Sequence, residues 1–78
     1  MNTVRRIQEV IARSLGIPLD RIQPDTKAAD IAEWDSLHHF VIAMEVEEEF
    51  GFKLSLEELA ELDSVQKILD SIAHRVAA

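Results

Sequence analysis

With 78 residues and 47% hydrophobic side chains, the chain is expected to fold as one small domain spanning 1–78, near the size where a single apolar core only just suffices. It has no cysteine, which excludes a disulfide framework, a thiolate metal site and a cysteine nucleophile, and fits a cytoplasmic protein that folds on packing alone. The net charge of −7 argues against nucleic acid and anionic membrane surfaces as partners, because neutralising phosphates takes clustered Lys and Arg.

Val4, Ile7, Val10, Ile11 and Leu15 recur at helical spacing, with Asn2 or Thr3 placed to cap them and Gly16 to stop them. A first helix is therefore predicted over about 3–15. The opening residues Met1-Asn2-Thr3-Val4-Arg5-Arg6 run straight into this pattern, without the layout of a targeting signal. No stretch approaches the roughly 18 apolar residues of a membrane span. Ile17-Pro18 and Pro24-Asp25-Thr26 then break the helix, leaving 16–34 as a long connection. A connection of that length needs anchoring, and Ile17, Leu19, Ile22 and Ile31 are the candidates, with a single turn expected around Leu19–Ile22.

The second helix is predicted to begin at Ser36 and end near Phe50, with Gly51 as its left-handed stop. Its apolar positions, Leu37, Phe40, Val41, Ile42, Met44, Val46 and Phe50, are wider than one stripe. Ile42, Val46 and Phe50 suit the core. Leu37, Val41 and Met44 fall on another face and are expected to be partly exposed, with an apolar contact to make. Ser55-Leu56-Glu57-Glu58 has the form of a capping box that opens a short helix through about Glu61. Ser64 caps a last helix with Val65, Ile68, Leu69, Ile72 and Val76 on one face. The fold is thus all-α, with three main helices, one short helix and no strand.

Charge is unevenly spread along this frame. From Asp30 to Asp63 there are eleven acids and only Lys53 as a base, while Arg5, Arg6 and Arg13 lie in the first helix. Such a field steers basic partner surfaces toward the middle of the chain. Within that region, Asp35-Ser36-Leu37 puts a primary hydroxyl at the positive end of a helix. Alone, the tripeptide says only that a helix starts there, since Asp and Ser are common N-caps.

Its surroundings add more. Leu15-Gly16 ends the first helix, Asp35-Ser36-Leu37 opens the second, Met44 and Glu47-Glu48-Glu49-Phe50 lie within it, and Ser64-Val65-Gln66 opens the last. In this order and spacing the chain resembles an acyl carrier protein over essentially its whole length. The resemblance implies a four-helix bundle whose Ser36 receives 4′-phosphopantetheine from coenzyme A through a phosphopantetheinyl transferase and Mg²⁺. It implies a non-catalytic, monomeric carrier with no resident metal, whose cargo is a thioester that other enzymes load, alter and unload. Asp35 then either caps the helix or helps to position the hydroxyl, and Leu37 packs beside the arm. The docking face comprises Leu37, His38, Val41 and Met44, rimmed by Glu45, Glu47 and Glu48.

Fatty-acid-synthesis carriers usually place an acid two residues past the serine and another a turn later; His38 and Val41 stand there instead. Together with Glu33-Trp34 before Asp35, this is similar to specialised free-standing carriers, and docking onto strongly basic patches should be weaker. Ala28 and Ala29 stand where larger apolar residues are usual, which leaves room for a shallow groove. Trp34 is expected to pack against the loop. His38 and His39 point in different directions on a helix and are expected to be exposed surface histidines; no third metal ligand is near, and the Glu45–Glu49 cluster lacks a calcium-binding loop. The rival readings are an aminoacyl or peptidyl carrier, an unmodified acidic interaction module, and a small hydrolase with Ser36 as nucleophile and His38 or His39 as base. The hydrolase lacks the strand of a nucleophile elbow and a third triad member.

Overall fold

The computed structural model of the protein describes residues 2–76, excluding the side chain of Val76. Helix α1 (Thr3–Leu15) starts at Asn2, whose Oδ1 accepts from the Arg5 N–H at 3.1 Å, and stops at Gly16, φ 69°. That left-handed conformation is one a Cβ-bearing residue adopts at a penalty, which is why glycine ends the helix here and again at Gly51, φ 74°. Helix α2 (Ser36–Phe50) is capped by Asp35, α3 (Leu56–Ala60) by the Ser55–Glu58 capping box, and α4 (Val65–Val76) by Ser64. Among the described residues there is no strand, and no helix is long and apolar enough to cross a membrane.

Helix α1 packs on both α2 and α4. Its Ile7, Val10, Ile11 and Leu15 meet Ile42 and Val46 of α2 and Val65, Ile68 and Ile72 of α4 in one core. Each fully buried aliphatic side chain contributes about 1.5–3 kcal/mol relative to exposure, so this cluster is the main stabilising term. The expected anchors of the long connection do pin it: Ile22 and Ile31 are buried, and Ile17 and Leu19 pack against the core. The single turn is a 3₁₀ turn, Leu19–Arg21. Phe50 is half-buried, with the Arg6 guanidinium 4.4 Å above its ring. The side chain of Val76, expected on the apolar face of α4, lies outside the described residues.

Two features of the connection were not foreseen. A second 3₁₀ turn spans Ala28–Asp30, and an isolated antiparallel bridge joins Lys27 to Ser64. The Ala28 N–H donates to the Asp63 carbonyl at 2.8 Å and the Val65 N–H to the Thr26 carbonyl at 3.0 Å. The loop is therefore stitched to the start of α4, and Thr26 and Ser64 are buried at the stitch with their hydroxyls hydrogen-bonded. A backbone segment away from water has to find such partners.

Candidate functional site

The start of α2 shows a division of labour between neighbours. Asp35, in extended backbone conformation, is the N-cap: its Oδ1 accepts from the His38 N–H at 2.9 Å. The same oxygen lies 2.8 Å from His38 Nδ1, which must carry the proton because a carboxylate only accepts. The His38 backbone hydrogen bond, then the His38 ring bond, hold the Asp35 carboxyl below its usual range. Ser36 is the first helical residue and is exposed, and its hydroxyl makes no hydrogen bond among the described residues. The serine does no capping. With Asp35 taking the His38 N–H and the Asp35 carbonyl taking the His39 N–H, the Ser36 and Leu37 N–H groups have no acceptor among the described residues and lie at the positive end of the helix.

Beside Ser36 lies a cleft of about 470 Å³ between the first turn of α2 and α3, lined by Trp34, Asp35, Ser36, His39, Leu59 and Asp63. Ala28 and Ala60 complete it with small side chains, so the groove expected from Ala28 is present, whereas Ala29 does not line it. On the rim, Lys67 bonds Asp63 at 3.1 Å and holds that carboxyl below its ordinary range.

The expected exposure of both histidines needs correction. His38 is half-buried against Asp35. His39 is half-buried and engaged at both nitrogens: Trp34 Nε1–H donates to Nδ1 at 3.0 Å, and Nε2 lies 2.7 Å from the Leu59 carbonyl. An indole N–H only donates and a carbonyl only accepts, so His39 is the neutral tautomer with its proton on Nε2. Trp34, 5% exposed, stacks on this ring with centroids 6.1 Å apart. Neither histidine hydrogen-bonds Ser36, so neither is placed as its base, and the hydrolase geometry is not formed.

Along α2, Leu37 (70% exposed) and Met44 (52%) face solvent, and Val41 between them is half-buried. Phe40, 47% exposed, belongs to the same stripe and was not singled out in the sequence; its spacing of three from Leu37 and four from Met44 was the available signal. The acids divide differently. Glu45 pairs with Arg13 at 3.3 Å, Glu49 with Arg6 at 3.0 Å, and Glu47 accepts from the Leu54 N–H at 2.7 Å. Glu48 is exposed and has no such partner among the described residues.

A short helical bundle that displays an unengaged serine at a helix N-terminus, above a cleft and ahead of an acidic helix with an apolar stripe, is built as a carrier. It pairs an exposed hydroxyl with an adjacent cleft and an exposed apolar stripe, and among the described residues no base is hydrogen-bonded to that hydroxyl. The family described as a phosphopantetheine attachment site matches residues 5–72. The chain is 32% identical over 75 residues to the acyl carrier protein of Thermosynechococcus vestitus, covering 96% of this chain and 93% of that one. It is also 32% identical over 72 residues to that of Solidesulfovibrio magneticus (92% of each chain) and 31% identical over 74 residues to that of Buchnera aphidicola subsp. Schizaphis graminum (95% and 94%). The chain belongs to the acyl carrier protein family. Members are non-catalytic carriers with a covalently attached 4′-phosphopantetheine, served by a phosphopantetheinyl transferase and by enzymes that handle the acyl group.

Proposed function

We propose that Ser36 is the attachment residue and that the chain, a single carrier unit acting as a cytoplasmic monomer, presents an acyl thioester to the enzymes of a lipid, polyketide or other specialised biosynthetic pathway. The observation that carries this reading is the idle Ser36 hydroxyl: it is exposed at the first helical position while Asp35 does the capping. The residues present suit the group, since an anionic phosphodiester on Ser36 Oγ would sit at free N–H groups and the positive end of α2. In the transfer, Oγ bonds to the phosphorus that carries pantetheine, the pyrophosphate bond of coenzyme A breaks, and adenosine 3′,5′-bisphosphate leaves. The hydroxyl proton passes to a base of the transferase. When attached, the arm supplies the thiol that this cysteine-free chain lacks. Asp35 orients the first turn, and Leu37 lies beside the arm.

Docking is assigned to Leu37, His38, Val41 and Met44, with Glu45, Glu47 and Glu48 as the charged rim. Because Arg13 and the Leu54 N–H already engage Glu45 and Glu47, Glu48 carries most of that rim. With His38 and Val41 in place of acids, partners are expected to rely on the apolar stripe more than on charge. Incubation with coenzyme A, Mg²⁺ and a broad-specificity transferase, followed by intact mass, tests the assignment. One phosphopantetheine should be gained by the chain and none by Ser36→Ala; a gain in the variant would overturn it.

A further inference from the structure

The cleft beside Ser36 ends on a built structure. Trp34 lies at its inner end, inside the same core cluster as Ile42, Val46 and Leu62. His39 crosses from α2 to α3 there, accepting from the Trp34 indole and donating to the carbonyl of Leu59. That carbonyl, near the end of a five-residue helix, also accepts from the Leu62 N–H at 3.3 Å, so His39 adds a second bond where α3 ends. An apolar chain hanging from Ser36 gains by leaving water. To move inward from the cleft between α2 and α3 it would have to part His39 from Leu59, both of which line that cleft and are hydrogen-bonded to each other. Doing so would strand a nearly buried indole N–H and both nitrogens of a half-buried imidazole, and an unpaired polar group away from water is strongly disfavoured.

We propose that Trp34, His39 and the Leu59 carbonyl form a plug that keeps a cargo attached at Ser36 in the surface cleft and out of the helical core, with His39 as the specificity-determining residue. Small or polar cargo fits such a cleft; a long alkyl chain stays exposed to water and to partner enzymes. This rests on attachment at Ser36.

The test loads the wild type, His39→Ala and His39→Phe with octanoyl-phosphopantetheine and compares the methyl resonances of Ile42, Val46 and Leu62 with those of the unacylated holo forms. In the wild type they should superpose. In His39→Ala, which removes both bonds and opens space, they should move. Equal movement in the wild type overturns the plug, whether or not a variant folds. Intact mass reports separately on the carrier reading: no gain at Ser36 refutes that reading. The plug is then decided on the unmodified chain by hydrogen exchange of the Trp34 indole proton. It should be about tenfold faster in His39→Phe, which keeps a ring but loses the acceptor. Exchange at the wild-type rate overturns the plug.

Discussion

Two serines at helix starts, Ser36 and Ser64, should respond in opposite ways to the same substitution. Ser64 is 9% exposed and its Oγ accepts from the Lys67 N–H at 3.0 Å, so it caps α4. Removing such a cap costs about 1 kcal/mol, which for a chain this size lowers the thermal midpoint by roughly 4–8 °C. Ser36 has no bond to lose, because Asp35 caps α2. Alanine is the better helix former by at most about 0.5 kcal/mol, so Ser36→Ala should leave the midpoint unchanged or raise it by roughly 2–4 °C. Thermal unfolding by far-ultraviolet circular dichroism reads the first effect, and intact mass after transferase treatment reads the second. Ser64→Ala should lose stability and keep modification; Ser36→Ala should keep stability and lose modification. If Ser36→Ala destabilises as much as Ser64→Ala, the serine is structural and the separation of capping from attachment is wrong.

Ile42→Ala removes a side chain that is 1% exposed at the α1–α2 contact, and should cost about 2–5 kcal/mol in urea unfolding; a loss below about 1 kcal/mol would mean the site is loosely packed. Asp35, Glu58 and Asp63 are held below their ordinary ranges, chiefly by hydrogen bonds from the His38 N–H, the Ser55 N–H and Lys67. In the window between folded and unfolded values the unfolded chain binds more protons, so stability should be full above the usual carboxylate range and fall as acid protonates these groups. Asp35 and Asp63 are exposed and Glu58 is only half-buried, which makes the decline shallow and smaller in high salt; stability that rises on acidification would contradict the assignment. Leu37→Asp should slow transferase modification and partner processing severalfold without lowering the thermal midpoint, since Leu37 is exposed; equal rates would remove it from the docking face.

The helices were legible because their punctuation is local. Asn2 and Gly16, Asp35 and Gly51, Ser55 with Glu58, and Ser64 each act within a turn of where they stand. The Ala28–Asp30 turn was not legible, because it depends on Asp63 and Ser64, which lie far along the chain. His39 was misjudged for the same reason: one partner precedes its helix and the other is a carbonyl on α3, which no side-chain pattern reveals. Of the acids expected to rim the docking face, Glu45 is taken by Arg13 on α1, and the neighbouring Glu49 by Arg6. Two arginines seven apart facing two glutamates four apart was a pattern available in the sequence.

Trp34 is the chain's one tryptophan, and there is no tyrosine. All ultraviolet-excited emission above the weak phenylalanine band therefore comes from a ring held two residues before Ser36, stacked on His39 and screened from solvent. Any event that loosens the cleft must let water reach that ring and redden its spectrum. The protein thus carries its own optical probe beside the serine, and any opening of the cleft can be followed in real time on unlabelled material.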